Sequence, residues 1–382
     1  MKLKLLYLWI AFLGFVLACT PSRKLLLDKK LRDSFDQKYV RILLFKTDQK
    51  VKISSSSRIK VVEKDSGKII YDLLEGNFVI YPGEIKEPVK IESWESPLQV
   101  NGKSYRGMLE LNNVLNKLLV INVLKLEEYL FSVVPSEIPS SWPLEALKAQ
   151  AVSARTYTYY HLQKRSKKKF YDLDSTTNFQ VYKGLEAENM ATTQAVEETA
   201  GEIMLYQYKP ILAYFHSTCG GKTADDEFVW SGENLPYLKS KRCGYCQDSP
   251  NYKWETELTL DELNRYLGKK YKKIGPIEDL SFQKDQGRVT QVKIKHKYGS
   301  LNISGNNFRL LFPLKKIKST FFKSQQTRKG LHLTGHGWGH GVGLCQWGAR
   351  GMANQGFNYK SILQHYYDKV RIVKFQRKSS FK

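Results

Sequence analysis

The chain has 382 residues, of which 42% are hydrophobic and 26% charged, a composition typical of a globular protein with two or three subdomains. Its formal net charge of +24 predicts either a polyanionic partner (nucleic acid, an anionic membrane surface or an acidic cell-wall polymer) or simply a solvated basic surface. No helix-turn-helix, zinc-finger or RNA-binding sheet signature occurs, which argues against nucleic acid.

The N-terminal residues predict export. Two lysines precede an uncharged apolar run, Leu5 to Ala18, which is too short to span a bilayer comfortably. The run ends in Val-Leu-Ala-Cys at 16–19, which resembles a bacterial lipobox. We therefore expect a signal peptide at 1–18, a lipidated Cys19 that anchors the protein to a membrane of the cell envelope, and a tether at 19–37. The alternative is a signal anchor with an incidental cysteine.

The next region, 38–114, is predicted to be rich in β-structure. Asn101 and Gly102 stand between two strand-like runs, which is a strong hairpin signal. A buried strand at 118–124 then opens a second domain, which we place at 115–373. Further strands with turn residues between them are predicted at 39–45, 51–53, 58–62 and 77–81.

Glu137 occupies an unusual position, between Pro135 and Pro139. Each proline fixes its own φ and favours extended geometry in the residue before it, which predicts a glutamate on a stiffened turn. A helix with an alanine-rich face is predicted to follow at 144–157, and a neighbouring element could pack closely on that face. A rigid acid beside such a helix suits a positioned proton donor. The alternative is a surface glutamate in a proline-rich turn.

The remaining pattern predicts an α+β fold. A second helix is expected at 187–200 and a strand at 211–216. Residues 254–330 alternate a short helix with strands and are interpreted as an inserted α+β lobe. A last helix is expected through Ile362 and Tyr366.

Two residue pairs predict a metal site. His216 and Cys219 form an H-x-x-C pair, and Cys243 and Cys246 form a C-x-x-C pair. Zinc prefers this mixture of nitrogen and sulfur, and four protein ligands leave no open position, so the predicted zinc is structural. The alternative is a disulfide, because exported thiols oxidise readily.

A glycine-rich segment at 335–343 carries two histidines. Its alternating glycines allow close approach of the backbone to a ligand or another chain. His336 and His340 could bind metal or donate to a substrate, or they could be satisfied by backbone groups. Cys345, just beyond, is interpreted as a buried thiol.

Three long blocks carry a resemblance to one family. The blocks at 135–157, 214–223 and 335–353 resemble the stage II sporulation protein D family, which includes proteins described as amidase enhancers. A Ser-Pro-x-Tyr-x-Trp run at 249–254 is similar to the family pattern as well, and the resemblance covers roughly 115–373. Cys345 stands where many members carry a small residue or serine, so no role carries over to it.

The resemblance implies an activity. Family members of known activity are lytic transglycosylases of peptidoglycan, and their catalytic acid is the glutamate between the prolines, which corresponds here to Glu137. One acid suffices for this chemistry, because the sugar's own 6-hydroxyl replaces water. The alternatives are a non-catalytic wall-binding activator of an amidase and a zinc hydrolase. The second is disfavoured because four protein ligands would close the metal shell.

Further side chains are candidates for binding glycan strands. Aromatic and basic groups can hold sugar rings and carboxylates, although packing is an equally good interpretation of their pattern. The candidates are Arg155, Tyr157, Tyr182, His340 and Gln346.

Overall fold

A computed structural model describes residues 39–164, 169–230 and 234–375. The predicted signal peptide, the tether and Cys19 lie outside the described residues. Within those ranges the chain forms seven α-helices together with many strands, which confirms the α+β fold class. No helix in this part of the chain is long and apolar enough to cross a membrane.

Ten strands precede the first helix and form two sheets. Strands β1, β3, β4, β6, β9 and β10 belong to a seven-stranded sheet, which β11 joins in parallel beside β1, and β5-β2-β7-β8 form a four-stranded sheet. The bounds are β1 (Tyr39–Thr47), β2 (Val51–Ser55), β3 (Ile59–Glu63), β4 (Ile69–Leu73), β5 (Gly76–Ile80), β6 (Val89–Ser93), β7 (Leu98–Val100), β8 (Lys103–Tyr105), β9 (Met108–Val114), β10 (Lys117–Lys125) and β11 (Leu173–Asp174).

The predicted hairpin is confirmed. Asn101 and Gly102 connect β7 to β8 with φ angles of 48° and 84°, the left-handed geometry that a tight two-residue hairpin requires. The four runs predicted at 39–45, 51–53, 58–62 and 77–81 also lie in strands, with ends shifted by one or two residues.

Three helices follow the N-terminal sheets: α1 (Leu126–Glu137), α2 (Leu144–Gln163) and α3 (Met190–Glu198). Helix α2 is the central element of the fold. Leu147, Ala151 and Ala154 pack in a first hydrophobic core with α1 and the sheets, whereas Ala149 and Val152 pack in a second core. Small alanine side chains allow elements to approach α2 from both sides, as the sequence predicts for one face.

The C-terminal half contains the second core and a lobe with a third core, which runs from Trp254 to Leu333. The domain boundaries themselves stay a prediction. The helices are α4 (Leu260–Lys270), α5 (Gly305–Leu311), α6 (Gln346–Asn354) and α7 (Tyr359–Tyr366); the strands are β12 (Glu202–Tyr206), β13 (Lys209–Pro210), β14 (Phe215–His216), β15 (Lys253–Thr259), β16 (Ile277–Asp285), β17 (Arg288–His296), β18 (Gly299–Ser304), β19 (Phe322–Thr327), β20 (Gly330–His336), β21 (Leu344–Cys345) and β22 (Arg371–Lys374).

Two sequence predictions differ from the structure. The strand expected at 211–216 is interrupted, because the Tyr214 N–H donates to the Leu212 carbonyl at 2.9 Å, a tight turn that leaves only β14 at its end. The helix expected at 187–200 begins three residues later. Its start is fixed by Asn189, whose side chain accepts the Ala191 N–H as an N-cap.

Candidate functional site

Glu137 is the last residue of α1, not a residue of an isolated turn. The buried side chains of α1, such as Tyr129, Val133 and Val134, recur at helical spacing and keep the backbone helical through Pro135. The helix ends at Ile138, which is extended and whose N–H donates to Val134 O at 3.1 Å. The prediction of a turn at Glu137 is therefore wrong, although the glutamate is held by the end of a helix.

The carboxyl group of Glu137 has one protein donor and is half-buried. Its Oε1 accepts the backbone N–H of Val181 at 2.9 Å, and no other described residue donates a hydrogen bond to it. Burial raises the pKa of Glu137 above its ordinary value, and the Val181 bond and the charge of Lys183 offset part of that rise. Its second oxygen, Oε2, is thus left to carry a proton.

The segment that supplies the Val181 N–H is fixed to α1 at a second point. The Lys183 N–H donates to Ser132 Oγ at 3.2 Å, one turn before Glu137. Two hydrogen bonds therefore set the position of this segment against the acid. Sequence analysis assigned no role to Val181 or Lys183, because a backbone donor 44 residues away leaves no local pattern.

Five aromatic side chains lie in a connected row, and we call Phe179, His161, Tyr157, Tyr214 and Trp230 the aromatic wall. The rings of Tyr157 and Tyr214 lie 5.9 Å apart, and those of Tyr214 and Trp230 stack at 4.4 Å. His161 joins Tyr157 at 4.5 Å to Phe179 at 5.3 Å. Most of these rings are half-buried, so they offer faces suited to sugar rings.

Tyr157 connects this wall with Glu137. Burial is the main cause that raises the pKa of Tyr157, and the nearby charges of Tyr214, Asp174 and Glu137 raise it further. Tyr157 is 7% exposed, so it contributes one edge of the wall rather than a free face. The assignment of Tyr157 as a substrate-binding residue stays a prediction.

Arg155 does not lie where a substrate could reach it. The side chain is 0% exposed, and its Nε and Nη2 donate to the two carboxylate oxygens of Glu127 at 2.8 Å each. The remaining N–H groups donate to Thr199 Oγ1 and to the carbonyls of Glu202 and Val196. The structure contradicts the substrate-binding interpretation, because every guanidinium donor already has a protein acceptor.

Tyr182 is also a packing residue. Its hydroxyl donates to Asn122 Oδ1 at 2.7 Å, and its ring lies 5.3 Å from that of Tyr129 and 6.1 Å from that of Tyr105. The side chain is 6% exposed, so it offers no face to a sugar. The substrate-binding interpretation of Tyr182 is replaced by a structural one.

His340 and Gln346 both form hydrogen bonds with protein groups. His340 Nε2 lies 2.9 Å from the Phe215 carbonyl, and its Nδ1 accepts the Val342 N–H at 3.1 Å. Burial lowers the pKa of His340 well below its ordinary value, so the ring is neutral. Gln346 is 6% exposed and donates to Gln150 Oε1 at 3.3 Å. Both ring nitrogens of His340 are engaged, which contradicts its assignment as a substrate ligand, whereas the assignment of Gln346 stays a prediction.

Four cysteines form a buried cluster that could hold a metal ion. The sulfur atoms of Cys219, Cys243, Cys246 and Cys345 all lie within 4.8 Å of one another, and all four thiols are free. The Cys219 and Cys246 sulfurs are 3.5 Å apart. We call these four residues the cysteine cluster.

The cluster corrects the sequence-based ligand set at one position, with Cys345 in place of His216. Strands β14 and β21 pair in parallel with His216 beside Cys345, but the imidazole turns away: its Nδ1 lies 3.1 Å from Val342 O. The Cys345 sulfur instead accepts the N–H groups of Cys219 at 3.2 Å and Gly348 at 3.3 Å. The pairing of two distant strands decides this, so no H-x-x-C spacing could reveal it.

A buried arginine from the lobe contacts the cluster. Arg288 is 4% exposed, and its Nη2 donates to the carbonyls of Cys219 at 2.8 Å and Lys222 at 2.7 Å. Burial lowers its pKa to about 10, whereas negative charge on Cys219 and Cys345 opposes that effect. No carboxylate of the described residues pairs with this guanidinium.

Comparison with known proteins gives consistent matches. The sequence model of the family described as "Stage II sporulation protein" matches residues 115–206, and that of a domain of unknown function matches 240–343. The chain is 34% identical to stage II sporulation protein D of Bacillus amyloliquefaciens, over 65% of this chain and 74% of the relative. It is 38% identical to an uncharacterised protein of Brachyspira hyodysenteriae, over 77% and 79% of the two chains. It is 30% identical to an amidase enhancer of Bacillus subtilis, over 64% of this chain and 40% of that protein.

Proposed function

Because the chain belongs to the stage II sporulation protein D family, we propose that it acts in the cell wall as a lytic transglycosylase that cleaves peptidoglycan glycan strands. The observation that carries the proposal is Glu137, a half-buried acid with a raised pKa and a free oxygen, whose charge acts on Tyr157 of the aromatic wall. A raised pKa favours the protonated form, which can deliver its proton to a leaving oxygen.

The chemistry needs one acid that acts twice. Glu137 protonates the glycosidic oxygen while the bond from that oxygen to C1 breaks, and it becomes a carboxylate. The carboxylate then removes the proton of the 6-hydroxyl of the same sugar, whose oxygen attacks C1 and closes an anhydro ring. Glu137 returns to its acid form and no water is consumed.

A hydrolase would need a second carboxylate, and Asp174 is the candidate, since its charge also acts on Tyr157. Its oxygens are engaged, however, within its own turn. Oδ1 accepts the Thr176 N–H at 2.9 Å, and Oδ2 accepts from Asn178 Nδ2 at 3.3 Å. This engagement favours a turn-stabilising role for Asp174.

The test is the chemical nature of the products. Purified glycan strands digested with the wild-type protein should give anhydro-muramoyl ends by mass spectrometry, and the Asp174→Asn variant should give the same ends. If the wild type instead gave reducing ends, and the Asp174→Asn variant lost both these products and its activity, the reaction would be hydrolysis with Asp174 as the second carboxylate.

The similarity to an amidase enhancer supports a second candidate, a non-catalytic activator of an amidase. A substitution at Glu137 distinguishes the two proposals. An activator should stimulate a cell-wall amidase equally well as the wild type and as Glu137→Gln, and neither form should cleave glycan alone. Cleavage that depends on Glu137 would exclude this candidate.

We further propose that the cysteine cluster holds one structural zinc ion. Four thiolates in mutual reach fit a closed tetrahedral zinc shell, which stabilises the fold and offers no open position for catalysis. Arg288 supports the proposal, because a zinc ion with four thiolates carries net negative charge that a buried guanidinium offsets.

Metal analysis of variants tests the ligand set. The wild type should hold about one zinc per chain. Cys345→Ser should lose the metal and stability, whereas His216→Ala should keep the metal, since the imidazole points to Val342. A stable metal-free protein with a Cys243–Cys246 disulfide would overturn the proposal.

We also propose that Cys19 is lipidated and anchors the protein to a membrane of the cell envelope. The support is the apolar run that ends in Val-Leu-Ala-Cys at 16–19. Cys19→Ser should block lipidation, and mass spectrometry of the protein should show the loss of the acyl chains. A Cys19→Ser protein that is processed normally and still needs detergent for extraction would contradict the anchor.

A further inference from the structure

Two tryptophans and an arginine meet on the surface near the acid. Trp142 lies between Glu137 and α2, and its ring centroid is 5.2 Å from that of Trp347 of α6, at an interplanar angle of 68°. The guanidinium carbon of Arg350 is 4.8 Å from the Trp347 centroid and 5.9 Å from that of Trp142. All three side chains are half-exposed, and we call them the tryptophan–arginine cluster.

The hydrogen-bond donors of Arg350 are not used by the described part of the fold. Among the described residues, no carboxylate pairs with its guanidinium and no acceptor takes a hydrogen bond from it. Arg41, Arg106 and Arg155, by contrast, each pair with a carboxylate. A guanidinium stacked on indoles keeps its edge donors free, and that edge matches the two oxygens of a carboxylate.

The cluster is held by rigid backbone. The Trp347 N–H donates to Ser217 O at 3.0 Å, and Cys345 caps the same helix by accepting the Gly348 N–H. On the opposite side, the Trp142 N–H donates to Pro139 O at 3.1 Å, in a segment that Pro139 and Pro143 restrict. The backbone at both tryptophans is thus fixed, which reduces the entropy lost on binding.

The cluster is close enough to Glu137 to bind the same molecule. Trp142 follows Glu137 by five residues, so their Cα atoms are separated by at most about 17 Å. Ile138 and Trp142 also pack with the same hydrophobic core, which keeps the connecting segment against the protein. A glycan strand that reaches the acid can therefore extend to the indoles.

We propose that the tryptophan–arginine cluster is a second sugar-binding subsite, specific for a sugar that carries a carboxylate. One indole stacks on the sugar ring, and Arg350 pairs with the carboxylate. This inference rests on the proposed function and extends it from the cleavage point to substrate recognition. The carboxylate can be the lactyl group of a muramoyl residue or a carboxylate of an attached peptide; both present the same group to Arg350.

Binding measurements with the full chain test the subsite, in a Glu137→Gln background so that ligands stay intact. The probes are muramoyl-containing oligosaccharides without peptides, the same oligosaccharides with peptides, and chitin oligosaccharides, which have no carboxylate. Arg350→Gln should weaken binding of a carboxylate-bearing probe by about tenfold or more and leave chitin oligosaccharides unchanged. Arg328→Gln, an exposed arginine on the lobe, is the control with the same change in charge.

The two sources of the carboxylate give different patterns. A loss with the peptide-free probe identifies the lactyl group, and a loss confined to the peptide-bearing probe identifies the peptide; both support the subsite. Trp347→Ala should weaken binding of all three probes, and Trp347→Phe, which retains a ring, should restore most of it. This rescue separates lost stacking from lost folding.

Equal weakening of all probes by Arg350→Gln would overturn the subsite. Unchanged binding by both Arg350→Gln and Trp347→Ala, with unchanged melting temperatures, would overturn it as well. The readout is binding, so it is independent of cleavage. If the wild type fails to cleave glycan while Arg350-dependent binding persists, the proposed activity fails and the subsite stands.

Discussion

Two glutamates of helix α1, Glu127 in its first turn and Glu137 at its end, have opposite environments. Glu127, in the first turn, accepts two hydrogen bonds from Arg155 and one from the Gly201 N–H. Glu137, at the end, accepts one backbone N–H and has a raised pKa. A carboxylate with both oxygens engaged stabilises a fold, whereas a desolvated one with a free oxygen can exchange a proton. The two residues are of the same type and differ in the hydrogen bonds that their carboxylates accept.

The largest effect is expected when Glu137 can no longer donate a proton. Glu137→Gln keeps the Val181 bond but cannot donate a proton, so glycan cleavage should fall on the order of 10²–10⁴-fold while folding is retained. Quantified anhydro products measure the loss. Glu87→Gln, at an exposed position, is the matched control. Full cleavage by Glu137→Gln would remove this residue from the mechanism.

The opposite result is expected at the other end of the helix. Glu127→Gln leaves Arg155 buried without its counter-charge, which should cost about 3–5 kcal/mol of unfolding free energy. Urea denaturation measures the loss, and activity per folded molecule should stay unchanged. A stable but inactive Glu127→Gln variant would show that Glu127, and not only Glu137, takes part in the reaction.

A smaller effect should distinguish packing from binding at Tyr182. Tyr182→Phe removes the hydroxyl that donates to Asn122 and should cost about 1–2 kcal/mol of stability, because a buried amide oxygen loses its partner. Denaturant titration gives that value. Glycan affinity should not change, and a weakened affinity at unchanged stability would restore Tyr182 as a substrate contact.

Stability measurements can check the direction in which the pKa of Glu137 is shifted. The folded state favours the protonated carboxyl of Glu137. The stability that this carboxyl contributes is therefore complete below the ordinary pKa of 4.5, and it is lost as the pH rises through the folded-state pKa. Glu137→Gln cannot ionise and should melt at a modestly higher temperature than the wild type near pH 7. The difference should vanish at pH 4; a difference independent of pH would contradict the raised pKa.

The smallest effect concerns Lys183, whose charge lowers the pKa of Glu137. Lys183→Gln should move the alkaline limb of the pH–rate profile upward by less than about one pH unit, because the lysine is exposed and screened by salt. The shift should shrink further at high ionic strength. A downward shift would show that another group controls the limb.

The sequence by itself determined the features that depend on local pattern. The hairpin at Asn101 and Gly102, the helix after Pro143 and the α+β class follow from turn chemistry and hydrophobic spacing. The unusual placing of Glu137 between two prolines was also visible, and so were three of the four clustered cysteines.

Only the tertiary structure decided which groups meet. The Val181 donor lies 44 residues from Glu137, and the Glu127 partner of Arg155 lies 28 residues away. Cys345 enters the cysteine cluster because β21 pairs with β14, a contact that spacing within either segment cannot encode. Hydrogen bonds and metal ligation act over a few ångströms, so they depend on how distant segments pack, whereas helix and turn propensities act between neighbours in the chain.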